Sequence, residues 1–275
     1  MSGFAARVHA ARASRDTLCL FWLGEAGFAL SGSGTTLLID PFLIDEPDRL
    51  ASPPCTATEL AFADAVLATH EHRRHLDVAA WSAIAAQSDR PRFVVPAPLV
   101  GQVVGLGIPA ERVLGAAPDG AVQLGAARVT PVPARHGVHA SDAYNFGREL
   151  SGGLQRYLGY VVELSGVRVY HSGDTIGYDG QVERLRELRI DLALLPINGR
   201  DVAREARDFV GNLDAREAAD LAAQIGADAI VPMHYELYAD NPGDPAALVA
   251  YARERHPQLT VVVLGRHGSL VHRRA

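Results

Sequence analysis

Short apolar runs separated by glycine-bearing turns dominate the start of the chain. Residues 18–23, 27–31 and 35–39 have the length and boundaries of strands. Residues 65–69 are apolar up to their last position and too few for a helix, so they predict a buried strand. Residues 76–87 carry apolar positions at helical spacing and stop before the breaker Pro91. A strand at 92–95 and a short helix at 98–106 follow, with Gly107 placed as the helix stop. Residues 122–124 and 128–132 predict a hairpin about Gly125.

The second half repeats the theme. Strands at 158–164 and 167–171 pair across Ser165 and Gly166. A helix at 181–188 leads to a strand at 191–195. Asp214 is placed as an N-cap, with Glu217 completing a capping box for a helix that runs to Ile225 and stops at Gly226. A strand at 229–231, a helix at 245–255 and strands at 260–264 and 269–272 close the chain. Strands followed by helices in both halves predict an α/β fold whose sheets are covered by helices on their outer faces. Residues 137–156 show no periodicity and form a polar, glycine-containing, aromatic loop of the kind that often carries function.

Composition narrows this further. The chain has 275 residues, 48% of them apolar, with no linker or short repeat. That suits one large domain at 16–275, preceded at 1–15 by a flexible Arg- and Ala-rich leader. A formal charge of −6 argues against a general nucleic-acid binder. No segment is long and apolar enough to span a bilayer. Cys19 and Cys55 make no disulfide framework. The expectation is a cytoplasmic protein acting on a small molecule, without nucleic acid or membrane as partner. Assembly into a homo-oligomer stays open.

The chemistry concentrates in THEHRRHLD, residues 69–77, where His70, His72 and His75 fall within six positions. Residues 70 and 72 of a strand end share a side, and a turn into a helix brings His75 to the same place. Such a cluster points to a divalent ion, zinc first and manganese as the alternative. Asp40, His136, Asp174 and His234 each follow an apolar run at its C-terminal end. His70, His72, His136 and Asp174 together make an N/O donor set with room for water.

THEHRRHLD resembles the HxHxDH motif of the metallo-β-lactamase fold superfamily. FWLGEAGFAL, LLIDPF, GLGIPAERV, VYHSGDT, IDLALLPING and IVPMHYELYADNPGDP extend the likeness over most of the chain. Their order is most similar to the L-ascorbate-6-phosphate lactonase-like branch. The resemblance implies a four-layer αββα sandwich. It implies a first ion on His70, His72 and His136, Asp174 as a bridge, and a second ion on His75 and His234. Asp40 would anchor the motif from beneath, and His171 would belong to the supporting hydrogen bonds. Asp77 is expected to start a helix near the site.

Arg74 stands where that motif has an aspartate. A guanidinium has no lone pair and stays charged, so it cannot be a ligand. Three arrangements follow. Arg74 occupies the second-ion region paired with Asp174, which favours one ion over two. Or it turns outward and leaves His75, Asp174 and His234 as a weaker site. Or the site is metal-free and the protein a non-catalytic binding relative. The first is the expectation, with hydrolysis by hydroxide activated at the metal, Asp174 orienting it and Arg74 steadying the oxyanion. The substrate expected is a small lactone, ester or phosphorylated sugar-like molecule. A phosphodiesterase or nuclease of the same fold is the alternative. His139, Arg200, Asn212 and Tyr235 are candidate substrate contacts, with Arg148, Arg156, Arg204 and Arg207 as further cations on the flanking loops.

Overall fold

Along residues 18–23, Leu18, Leu20 and Trp22 face one way and Cys19, Phe21 and Leu23 the other, and both sets are buried. A strand apolar on both faces needs a layer on each side. In the computed structural model, which describes residues 1–118, 120–136, 150–151, 154–206 and 211–273, those layers are a second sheet and a set of helices.

The strands are β1 (Leu18–Gly24), β2 (Gly27–Gly32), β3 (Thr35–Ile39), β4 (Ala65–Leu67), β5 (Arg92–Pro96), β6 (Val113–Ala116), β7 (Val122–Leu124) and β8 (Ala127–Pro133). A two-residue pair, β9 (Leu150–Ser151) and β10 (Leu154–Gln155), comes next. Then follow β11 (Leu158–Leu164), β12 (Val167–His171), β13 (Leu192–Pro196), β14 (Ala229–Met233), β15 (Thr260–Val261) and β16 (Ser269–His272). The helices are α1 (Gly3–Ala11), α2 (Val78–Gln87), α3 (Val100–Val104), α4 (Gln181–Leu188), α5 (Val202–Glu205), α6 (Ala215–Gln224) and α7 (Pro245–Arg255).

Two seven-stranded sheets result, ordered β16-β1-β2-β3-β4-β5-β6 and β15-β14-β13-β12-β11-β8-β7. Leu20, Trp22, Phe28, Leu30 and Ile39 pack between the sheets against Val129, Leu158, Tyr160 and Leu194. The opposite face of the first sheet (Phe21, Ala29, Leu38, Val66, Phe93) lies under α1, α2 and α3. Ala218, Ala222, Leu248 and Ala252 bring α6 and α7 onto the second sheet. This is the four-layer αββα sandwich.

Three local expectations need correction. Residues 1–15 do not form a frayed leader: α1 is capped by Ser2 and buries Phe4, Ala5 and Val8. Ala and Arg favour helix, and apolar residues at 4, 5 and 8 share one face. The helix at 98–106 is a 3-10 turn, Ala97–Leu99, followed by the short α3. The strand at 260–264 pairs with β14 only over its first two residues. The Asp214–Glu217 capping box is present, with Asp214 accepting from the Glu217 amide and Glu217 from the Asp214 amide. Among the described residues no helix is long and apolar enough to cross a membrane.

Both sheets end their strands at one edge of the sandwich. Asp40 leaves β3, Thr69 and His70 leave β4, and His136 follows β8. Asp174 follows β12, and His234 follows β14. Residues far apart in sequence thereby reach a common rim.

Candidate metal centre

Two buried carboxylates stand behind the histidines at this rim. Asp40 is fully buried and accepts from the Thr69 amide at 2.8 Å, the Thr69 hydroxyl at 2.7 Å and His75 Nδ1 at 2.6 Å. Because the Thr69 hydroxyl donates to Asp40, it receives His70 Nδ1–H at 3.0 Å, which leaves the His70 Nε2 lone pair facing inward. The same logic frees His75 Nε2, which lies 3.4 Å from Asp174 Oδ1. Glu25 is the second carboxylate. Its Oε1 lies 3.4 Å from His234 Nδ1, while His234 Nε2 lies 3.4 Å from Asp174 Oδ2.

Asp174 owes its place to Gly173, whose φ is +60°. A Cβ there would come within 2.8 Å of the Leu158 carbonyl oxygen and of the Thr69 Cβ, so only glycine passes. His171 fixes the neighbouring turn, bonding the Ala26 carbonyl at 2.7 Å and receiving the Gly173 amide at 3.2 Å.

Two donor groups form around Asp174: His70, His72 and His136 with Asp174, and His75 and His234 with Asp174. His72 Nδ1 lies 2.9 Å from His70 Nε2 and 3.1 Å from His136 Nε2. One proton on His72 Nδ1 can serve only one of these neighbours. Tetrahedral zinc with bonds of about 2.05 Å sets its ligand atoms roughly 3.3 Å apart, close to the spacing found. Asp174 Oδ1 is buried and makes no hydrogen bond. Asp174 Oδ2 sits 3.4 Å from both His136 Nε2 and His234 Nε2, between the two groups. This donor set fits a divalent cation.

Electrostatics divides the histidines the same way. Burial holds His70 and His72 well below the usual imidazole range, helped by neighbouring histidines. Burial also brings His136 down to about 4. These three are neutral donors. Burial acts against charge on His75 too, but Asp174 and Asp40 outweigh it and raise it to about 10. His234 is raised against burial by Asp174 and Glu25. Burial opposes the charge on Asp174, yet His234 and His75 keep it well below the usual carboxylate range.

Arg74 differs from expectation. It pairs with Glu25 (3.3 Å to Oε1) and not with Asp174, and its guanidinium lies 4.1 Å over the Tyr238 ring. Its charge is already matched, which corrects its reading as a free cation for an oxyanion. Asp77 caps α2 through the Ala80 amide and also receives the Leu43 and Ile44 amides, so it braces the loop after Asp40.

His72, Arg74, His75, His136, Asp174 and His234 line an open cavity of about 830 Å3. Glu46, Asp48, Glu71 and Asp240 stand on its walls. Three expected substrate contacts do not reach it among the described residues. Arg200 is held by both oxygens of Glu217 and by the Asn212 carbonyl. Asn212 is buried, with its amide on Asn198. Tyr235 stacks on Trp22 at 5.3 Å between centroids, its hydroxyl on the Leu264 carbonyl. Arg204 pairs with Asp201, and Arg156 with Glu71. His139, Arg148 and Arg207 lie outside the described residues. Glu25 and Tyr238 were not singled out from sequence; the one hint was an acidic residue inside a buried glycine turn. A separate cavity of about 400 Å3 lies on the outer face of the second sheet. There Glu163 stands opposite Arg128 and Arg168, a cross-strand charge ladder without a histidine or buried carboxylate in its described lining.

The family model of the beta-lactamase superfamily domain matches residues 35–235. A UPF0173 metal-dependent hydrolase of Rubrobacter xylanophilus is 32% identical over 249 residues, covering 88% of this chain and 92% of its own. Another, from Thermococcus onnurineus, is 32% identical over 233 residues, covering 82% and 87%. Among solved structures, Igni18, a metallo hydrolase of Ignicoccus hospitalis, aligns with a TM-score of 0.71 at 22% identity over 94% of this chain and 100% of that one. An isothiocyanate hydrolase from Delia radicum gut bacteria aligns with a TM-score of 0.73 at 17% identity, over 94% and 99%.

Proposed function

The chain belongs to the beta-lactamase superfamily and is a metal-dependent hydrolase; from that premise we propose that it opens a small, uncharged lactone or ester. The observation that carries this reading is the convergence of His70, His72, His136 and Asp174 on one point at the floor of an open cavity. A divalent ion held there, zinc by its donor set, would supply a Lewis acid and lower the pKa of water toward about 7. His70, His72 and His136 present neutral nitrogens to it. Asp174 Oδ1, buried and without a hydrogen bond, orients the attacking water by accepting its proton in a hydrogen bond.

The described walls favour an uncharged substrate over a phosphorylated one. Arg73 is matched by Glu46, Arg74 by Glu25 and Arg156 by Glu71, while Asp48 and Asp240 also face the cavity. A phosphate entering there meets carboxylates rather than a free guanidinium.

Elemental analysis of protein purified without added metal, followed by assays on a simple lactone and a chromogenic phosphodiester, tests the proposal. The expected result is one tightly held zinc per chain and lactone turnover that chelation abolishes and zinc restores. Turnover of the phosphodiester with none of the lactone would replace this reading with a phosphodiesterase.

A further inference from the structure

Arg74 stands where the motif this chain resembles has a ligand, yet His75, Asp174 and His234 still form a donor group. His75 Nε2 and His234 Nε2 each lie 3.4 Å from an oxygen of Asp174. Each imidazole also has a buried carboxylate behind it, Asp40 for His75 and Glu25 for His234. Carboxylates in that position fix the ring and its tautomer, and their loss typically weakens metal binding 10- to 100-fold. Asp40 has three donors to hold it in place. Glu25 has Arg74.

The contact is built from several independent features. Glu25 Oε1 is shared between Arg74 Nη1 at 3.3 Å and His234 Nδ1 at 3.4 Å. His234 Nδ1 is buried and makes no hydrogen bond of its own, so Glu25 is the carboxylate facing it. The two main chains are tied as well, the His234 amide donating to the Glu25 carbonyl at 3.0 Å, which also receives Trp22 Nε1 at 3.0 Å. Glu25 and His234 both hold left-handed backbones, at φ +51° and +58°. Non-glycine residues adopt that region at a cost, and such positions cluster at functional sites. Tyr238 fixes the other face of the guanidinium.

We propose that Arg74 is a positioning residue: it clamps Glu25, Glu25 holds His234, and the group of His75, Asp174 and His234 accepts a second, weaker divalent ion. The inference rests on the hydrolase reading, and the experiment separates the two.

Metal-free protein is titrated with Zn2+ against a chromophoric chelator to give stepwise affinities, for the native chain and for Arg74→Ala, Arg74→Lys and Glu25→Gln. The native chain binds two ions, the second more weakly. Arg74→Ala and Glu25→Gln weaken the second step about 10- to 100-fold and change the first by less than about threefold. Arg74→Lys recovers most of the loss, since an ammonium still pairs with Glu25. Arg74→Ala combined with Glu25→Gln is no weaker than Glu25→Gln alone, because the two act through one contact. The lysine and glutamine variants are close in size to the originals, so they carry the test if the alanine variant does not fold. Tighter second-step binding in Arg74→Ala would show Arg74 competing with the ion, and overturns the proposal. A single ion in every variant also overturns it while leaving the hydrolase reading intact. No ion in the native chain removes that reading and the inference with it.

Discussion

Asp40 shows how much of the site depends on single acceptors. It is fully buried, left-handed at φ +47°, and takes three donors from Thr69 and His75. Removing one member of a buried charged network costs roughly 3–5 kcal/mol, because the partners stay behind unsatisfied. Asp40→Ala is therefore expected to lose about that much in urea unfolding. Asp40→Asn loses less, since asparagine tolerates the backbone and still accepts from the Thr69 amide. An alanine variant within about 1 kcal/mol of the native chain would show that the network is not what holds the motif. At this scale the sequence was readable where chemistry coincides with a strand end: His70, His72, His136, Asp174 and His234 are all of that kind. It was unreadable where partners are remote. Glu25 is 49 residues from Arg74, and its place inside an apolar glycine turn is the one local hint that it is not a solvated turn residue. Adjacency misled at Tyr235, which follows His234 but turns toward Trp22 and the interior.

At the scale of elements, one carboxylate joins α1 to the first sheet. Asp64 accepts from Arg12 at 2.6 Å, from the Thr36 amide at 2.8 Å and from Arg90 Nε at 3.0 Å. Burial alone would raise its pKa, but the bonds from Arg12, Thr36 and Arg90 outweigh it and hold the carboxyl below its usual range. A folded-state pKa below the unfolded value means stabilisation that is complete above the unfolded pKa, about 3.9, and lost as pH falls through the folded one. Asp64→Asn is expected to cost roughly 1–3 kcal/mol near pH 7. Chemical unfolding of both proteins from pH 7 to pH 3 checks the sign. The gap should stay level down to about pH 5 and narrow below the unfolded pKa; a gap that widens in acid contradicts the assignment. α1 is hard to read from sequence because it is short and its burial depends on a sheet assembled from later residues, whereas the strands announce themselves locally. Gly125, at φ +60° in the turn between β7 and β8, was legible for the same local reason.

For the molecule as a whole, the order of strands is what no local pattern supplies. β16, from the end of the chain, pairs antiparallel with β1 and completes the first sheet. The consequence is a rim where donors from both halves face one another. Three neutral imidazoles share the centre around His72 Nδ1, and Asp174 Oδ1 has no hydrogen bond. An unfolded chain relieves all of these groups with water, so the folded state gains selectively when an ion enters. Binding to the folded form alone adds RT ln(1 + [L]/Kd), about 4 kcal/mol at a thousandfold excess over Kd. At about 2–4 °C per kcal/mol for a domain of this size class, thermal unfolding should move up by roughly 8 °C or more between chelator and zinc. His136→Ala should erase most of that rise, because it removes one of the four donors nearest the centre, whereas binding to surface carboxylates would leave the rise intact. A melting curve indifferent to zinc in the native chain would mean that the rim is satisfied without an ion, and the chemistry assigned to it would have to be sought in some other arrangement of the same residues.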